Sequence, residues 1–214
     1  MTLPGLIFWI WMFAILVCVM FGAWYFNWRG ALSPSDIERY MAQVDSNPNI
    51  SVGQRATVHA FLSDDDGREF VMLNVIKFYE NKQPHPITGE PTAPLKLLGE
   101  YQKHFLGNLF KNAGHPLYVA WKNGGYIDTF GQTETPEYSL ASMVRYRSRR
   151  DFADAIVNTG FTGAHAYKAA AIEHTFNFPT QMKRIGVWGP GRIIPLLLVL
   201  LAAFAHIAII SFRG

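Results

Sequence analysis

Two long uncharged segments, one near each end of the chain, constrain the fold more than any other feature. They cover residues 6–26 and 193–212, and the second contains one ionisable side chain, His206. An α-helix needs about 20 apolar residues to cross the hydrocarbon core of a bilayer. The sequence therefore predicts two transmembrane helices that flank a central water-soluble region.

The first segment differs from a secretory signal peptide, which has a basic leader and a shorter apolar stretch. No lysine or arginine precedes residue 6, and four aromatic residues lie at the end of the segment, where an interfacial belt is expected: Trp24, Tyr25, Phe26 and Trp28. We therefore interpret this segment as a retained membrane anchor.

Basic residues beside the two segments predict the topology in the membrane. Outside the spans, Arg213 is the only basic residue on the terminal side, whereas the domain side carries Arg29, Arg39, Lys183, Arg184 and Arg192. Cytoplasmic loops are enriched in lysine and arginine. We expect a bacterial inner-membrane protein with a cytoplasmic domain and both termini outside.

Composition disfavours several classes of function. The single cysteine, Cys18, lies inside the first apolar segment, so an intrachain disulfide is excluded. The net charge of +3 without a basic run argues against nucleic-acid binding. The histidines lack zinc-ligand spacing and no G-x-S-x-G motif occurs, so the sequence predicts no metal site and no catalytic residues.

The central region alternates between helical and strand patterns. Two short helices are expected first, the earlier one capped by Ser33, Pro34 and Asp36. The pattern that follows predicts strands and helices in the order β-α-β-β-α-β, with strands at 69–79, 115–122, 139–147 and 172–178. The intervening segment 81–94 is expected to be a loop, and Gly114 to end the first long helix. We expect an α+β fold, a ferredoxin-like domain between two transmembrane helices.

The expected organisation has five parts. They are a transmembrane helix at 1–28, a helical connector at 29–69, the ferredoxin-like domain at 70–180, a connector at 181–192 and a second transmembrane helix at 193–214. Helices cover one face of such a sheet, and aromatic residues suggest that neither face is very polar: Tyr79, Tyr118, Trp121, Tyr146 and Phe176. An uncovered apolar face would be an interface.

Five stretches of the central region resemble one superfamily. They are FLSDDDGREFVMLNVIKF (61–78), EYQKHF (100–105), NAGHPLYVAW (112–121), MVRYRSRRDFADAI (143–156) and HAYKAAAIEHT (165–175). Together they resemble the dimeric α/β-barrel superfamily, in an uncharacterised branch of unknown function that is usually soluble. The resemblance implies two sheets packed face to face and, in each subunit, a cavity between sheet and helices. Relatives include metal-free oxygenases, haem-degrading enzymes and isomerases, so the fold alone does not transfer a function.

Four polar residues are candidate ligand-binding residues for a small acid or phenol: Asn74, Tyr101, His104 and Arg145. A histidine there could act as a base near neutral pH. The alternative is that all four satisfy local hydrogen bonds or lie at an interface.

His206 is the candidate cofactor-binding residue, because ionisable groups inside membrane spans are costly and often functional. The surrounding segment resembles the spans of light-harvesting polypeptides, which implies ligation of bacteriochlorophyll. Ligation of haem is a second interpretation, and a hydrogen bond to a neighbouring helix is a third.

The sequence thus favours a membrane-anchored accessory or interaction subunit that dimerises or docks on a larger membrane complex. One alternative is a membrane-tethered oxygenase- or isomerase-like enzyme. The other is a pigment- or haem-associated subunit of a photosynthetic or respiratory complex that uses His206.

Overall fold

The computed structural model describes residues 2–47, 50–132, 136–161, 163–182 and 189–213. The chain forms two compact units, one made of residues 1–28 and 183–214 and the other of residues 29–182. Residues 183–188 of the predicted connector 181–192 lie outside the described residues, and they include Lys183 and Arg184, which contributed to the topology prediction.

The terminal unit is a pair of long helices, α1 (Leu3–Tyr25) and α7 (Pro190–Arg213). Both are long and apolar enough to cross a membrane, as the sequence predicts. They pack where small residues allow a close approach, and Ala14 and Ala202 are both buried. Gly191 lies against the ring of Tyr25, where a Cβ atom would be 2.7 Å from the ring carbon Cε1.

Two short helices begin the central unit, α2 (Pro34–Asp45) and α3 (Val52–Ser63). The Ser33 hydroxyl accepts a bond from the backbone N–H of Asp36, and the Asp36 carboxylate accepts one from the N–H of Ser33. This reciprocal cap explains why α2 starts where the sequence predicts. Tyr40 and Leu62 then pack in a core cluster with Ala153.

A four-stranded antiparallel sheet lies at the centre of this unit. Its strands are β1 (Phe70–Phe78), β4 (His115–Trp121), β5 (Leu140–Tyr146) and β6 (Ile172–Thr180). Their order across the sheet is β4-β5-β1-β6, so β4 and β6 are edge strands. The predicted α+β class and the four strands are confirmed.

Helices cover one face of the sheet. They are α4 (Pro94–Lys111), α5 (Arg149–Phe161) and α6 (Ala164–Ala171). Two core clusters fill the space between helices and sheet, one around Phe70, Met72 and Leu109, the other around Phe78 and Leu97.

The segment predicted as a loop contains a short hairpin, β2 (Gln83–Pro84) with β3 (Pro91–Thr92). The next helix, α4, starts at Pro94 because proline fits the first turn, where no N–H partner is needed. The last strand continues through Pro179 to Thr180, beyond its predicted end at residue 178. An edge strand tolerates this proline, because the backbone N–H groups on its outer side have no neighbouring strand to bond.

Gly114 does not itself provide the left-handed residue that ends α4. That conformation belongs to Ala113, with φ of 55°. Gly114 is required for space, because a Cβ atom would lie 2.3 Å from Leu109 Cδ1 and 2.9 Å from the Arg145 carbonyl oxygen.

Candidate interaction surface

The sheet face opposite α4, α5 and α6 is the candidate functional site, and we call it the outer face. Successive side chains of a strand point to opposite faces. Phe70, Met72 and Phe78 of β1 pack in the helix-side clusters. The alternate residues, among them Leu73 and Val75, therefore belong to the outer face.

Strand register places two apolar rows across all four strands of the outer face. Residues directly opposite in antiparallel strands share a face. The first row is formed by Tyr118, Met143, Leu73 and Phe178. The second row is formed by Ala120, Ala141, Val75 and Phe176. These eight side chains form the apolar centre of the outer face, and none of them carries a charge.

The largest side chains of the apolar centre are open to solvent. Phe176 is 65% exposed, Tyr118 51%, Phe178 49% and Met143 37%. Contiguous apolar exposure is uncommon on a protein that works alone in water and is typical of interaction sites.

One end of the apolar centre is bounded by a charge cluster. Lys77 lies opposite His174, and its ammonium is 2.6 Å from a Glu137 carboxylate oxygen. Carboxylate oxygens of Glu173 and Glu80 lie 3.6 and 3.9 Å away. The hydrogen bond to Glu137 raises the pKa of Lys77, which therefore stays charged. This row forms a polar rim.

The other end is bounded by Arg145 and His115, which lie opposite each other. The Arg145 side chain is almost fully buried and donates to a Glu69 carboxylate oxygen and to the Ala113 carbonyl, both at 2.6 Å. Burial lowers the pKa of His115, although its bond to the Pro116 carbonyl acts in the opposite direction. The apolar centre thus lies between two polar rims, the usual anatomy of a protein interface.

The four predicted ligand-binding residues do not converge on one pocket. Asn74 belongs to the helix-covered face and donates to the Met72 carbonyl at 3.2 Å. Arg145 belongs to the outer face, where its donors bind Glu69 and Ala113. His104 is exposed on α4.

Tyr101 lies between α4 and α6. Its ring stacks on Phe105 with centroids 5.4 Å apart, and the Lys168 ammonium is 5.9 Å from its centroid. Burial raises the pKa of Tyr101 to about 12 and lowers that of Lys168. The tyrosine is therefore a neutral hydroxyl at physiological pH, and it is unsuited to act as a base there.

A small apolar cavity lies between α2, α3 and α5. Its volume is about 10 Å³, and Tyr40, Val44 and Leu62 contribute to its lining. A single water needs at least that much space, so this cavity cannot hold a small-molecule substrate.

His206, the predicted cofactor-binding residue, lies on α7 in the terminal unit. Its Nδ1 accepts a hydrogen bond from the indole Nε1 of Trp11 on α1, at 3.3 Å. Trp11 was not predicted as a partner of this histidine, because the two residues are 195 positions apart in the sequence.

The aromatic residues that the sequence places on the sheet are divided between its two faces. Tyr118 and Phe176 belong to the outer face, but Tyr146 and Trp121 lie opposite Phe70 and Leu140 on the helix side. The period-two pattern of β6, with His174, Phe176 and Phe178 on one face, is the signal that could have located the apolar centre.

No family model and no curated protein matches this sequence. Among solved structures, the chain is similar to RPA0582, a protein of unknown function from Rhodopseudomonas palustris. The match has a TM-score of 0.51 at 14% identity and covers 63% of this chain and 95% of that one. A structure of methylated RPA0582 matches with a TM-score of 0.52 at 14% identity, covering 66% and 99%. This likeness shows a shared fold and leaves the activity to be inferred from the site.

Proposed function

We propose that this protein is a two-span membrane-anchored interaction subunit whose central domain self-associates through the outer face of its sheet. The observation that carries the proposal is the apolar centre, with its two uncharged rows across four strands. Phe176 and Phe178 are each about half exposed or more in the single chain. Burial of such side chains is the dominant favourable contribution to association.

A second copy is the partner that this face fits best. The apolar centre has no charge that would be repelled by its own duplicate, and the charged groups lie at its two ends. Confinement to one membrane raises the effective concentration of copies for each other.

The strand order supports the more specific fold proposal. We infer a ferredoxin-like domain of the dimeric α/β-barrel superfamily, because β1 and β6 are neighbours while β4 and β5 form the other half of the sheet. Helices on one face leave the other face for pairing. Face-to-face sheets would then pack about 10 Å apart.

We further infer a cytoplasmic domain and termini outside a bacterial inner membrane. Arg29 and Arg39 on the domain side support this topology. A reporter that is active only in the cytoplasm, fused after Gly214, should be inactive. Activity of that reporter would indicate the opposite orientation.

The enzyme alternative has less support, because the predicted pocket residues lie on both faces of the sheet.

The proposed self-association is tested by substitution within the apolar centre. The full chain with Phe176→Glu and Phe178→Glu is extracted gently in detergent and compared with the wild type by analytical ultracentrifugation. The wild type should sediment as a dimer and the variant as a monomer, because association would bury two carboxylates against apolar side chains.

The matched control is Ile87→Glu, an exposed apolar residue on the β2–β3 hairpin that is outside the outer face. Far-ultraviolet circular dichroism checks that all three proteins are folded. The proposal fails if the wild type is monomeric across the concentration range, or if the control dissociates as much as the double variant.

A further inference from the structure

The hydrogen-bonded contact between Trp11 and His206 joins the two predicted spans, α1 and α7. The indole Nε1 lies 3.3 Å from the imidazole Nδ1. The two rings are nearly perpendicular, at 84°, with centroids 6.3 Å apart. Both side chains are half-buried, so the hydrogen bond lies at the helix–helix contact.

The donor in this pair determines which imidazole nitrogen carries the proton. An indole N–H can only donate a hydrogen bond. The accepting Nδ1 must therefore have a free lone pair, and the neutral imidazole then carries its proton on Nε2. In this tautomer Nε2 has no lone pair with which to bind iron or magnesium.

A histidine that binds a metal through Nε2 needs the opposite arrangement. Its Nδ1–H is normally held by an acceptor such as a carboxylate or a backbone carbonyl. Trp11 presents a donor at that position, so the observed pair disfavours ligation through Nε2, and Nδ1 is already occupied.

The rest of the helix pair agrees with a structural role. Ala14 and Ala202 are the buried small residues beside this contact, three positions from Trp11 and four from His206. These spacings place Ala14 on the same face of α1 as Trp11, and Ala202 on the same face of α7 as His206. Tyr25 against Gly191 marks a second contact further along the same pair.

We propose that His206 is a neutral hydrogen-bond acceptor that locks α1 to α7 in one rotational setting, and that it is not an axial ligand of haem or bacteriochlorophyll. Interhelical hydrogen bonds in membranes are modest, and loss of this one should shift the helix-pairing equilibrium by about 3- to 20-fold. The proposed role of His206 does not depend on self-association through the outer face. Each of the two proposals can therefore be contradicted without affecting the other.

Nitrogen chemical shifts of His206 test the tautomer. The full chain is labelled with ¹⁵N-histidine in lipid nanodiscs, and the His206 signals are assigned by their loss in His206→Gln. We expect a protonated Nε2 and an unprotonated Nδ1 in the wild type, with a change at Nδ1 in Trp11→Phe. A protonated Nδ1 in the wild type, or an unchanged spectrum in Trp11→Phe, would overturn the proposal.

Distance measurements test the locking role. Spin labels at Thr2→Cys and Ser211→Cys, in a Cys18→Ser background, report the separation of the two helix ends by pulsed electron paramagnetic resonance. Trp11→Phe and His206→Leu should broaden the distance distribution, while His206→Gln, which retains an acceptor, should preserve it. Equal distributions in all variants would contradict the proposal.

Ferric haem is the probe for the ligand alternative. Titration of the wild type in detergent should give the same Soret spectrum as His206→Leu. A Soret shift in the wild type that disappears in His206→Leu would show axial ligation and overturn the proposal.

Discussion

At the scale of single residues, Arg145 connects three parts of the central domain. Its guanidinium joins β5 to Glu69, just before β1, and to the Ala113 carbonyl at the end of α4. The side chain is 3% exposed, whereas that of Glu69 is 43% exposed. Arg145 therefore supplies a hydrogen-bond donor to the backbone carbonyl of Ala113, the residue in the left-handed conformation.

Arg145→Met should lower the free energy of unfolding by about 1–3 kcal/mol, because the buried Ala113 carbonyl would lose its hydrogen-bond donor. Thermal unfolding of the full chain in detergent measures the change. The control is Arg68→Met, whose side chain is 77% exposed and 3.9 Å from Asp66, and it should have little effect. An unchanged midpoint for Arg145→Met would contradict this role.

Gly114 provides a second residue-scale prediction. Gly114→Ala should destabilise the domain by about 1–3 kcal/mol, because the new Cβ would overlap Leu109 and the Arg145 carbonyl. Gly107→Ala is the matched control, since no atom lies within 4 Å of its Cβ position on α4. The control should stabilise the helix by about 0.5–1 kcal/mol. Equal unfolding midpoints for the two variants would argue against the close approach.

At the scale of elements, the start of α2 depends on an ionised carboxylate. The hydrogen bond from the Ser33 side chain, followed by that from Arg150, lowers the pKa of Asp36 from 3.8 to about 2. The unfolded chain therefore binds more protons between these values, and stability rises with pH across that window. The contribution is fully present above pH 4 and is lost as the pH falls towards 2.

Asp36→Asn should make the acid dependence of unfolding shallower between pH 4 and pH 2. The thermal midpoint of the full chain in detergent, measured at half-unit intervals, gives the two curves. Parallel curves for wild type and variant would show that Asp36 does not stabilise the fold through its charge.

Helix α2 and the sheet show which parts of the fold can be predicted from the sequence. The cap at Ser33 and the strand patterns depend on neighbours a few positions apart, so α2 and the four strands could be predicted. The pairing of Arg145 with Glu69 spans 76 positions and depends on strand register. A polar residue in a strand pattern does not reveal whether its partner will be a ligand or another part of the fold.

At the scale of the whole molecule, we propose different partners for the apolar helices and for the open sheet face. The exposed apolar side chains of α1 and α7 would contact lipid, and the proposed partner of the apolar centre is a second copy of the chain. The edge strand β4 adds a second apolar region, since Val119 and Trp121 are 59% and 55% exposed. Unprotected edge strands can pair with another chain, so edge-to-edge pairing through β4 is the competing arrangement for a dimer.

The most direct test is the distance between equivalent residues in two copies. Met143→Cys or Val119→Cys is spin-labelled in a Cys18→Ser background, in nanodiscs that hold two chains, and measured by pulsed electron paramagnetic resonance. Face-to-face pairing predicts a dipolar signal from both sites, with the shorter distance at Met143, because the sheets would be about 10 Å apart. A shorter distance at Val119, or no dipolar signal at Met143, would contradict association through the outer face.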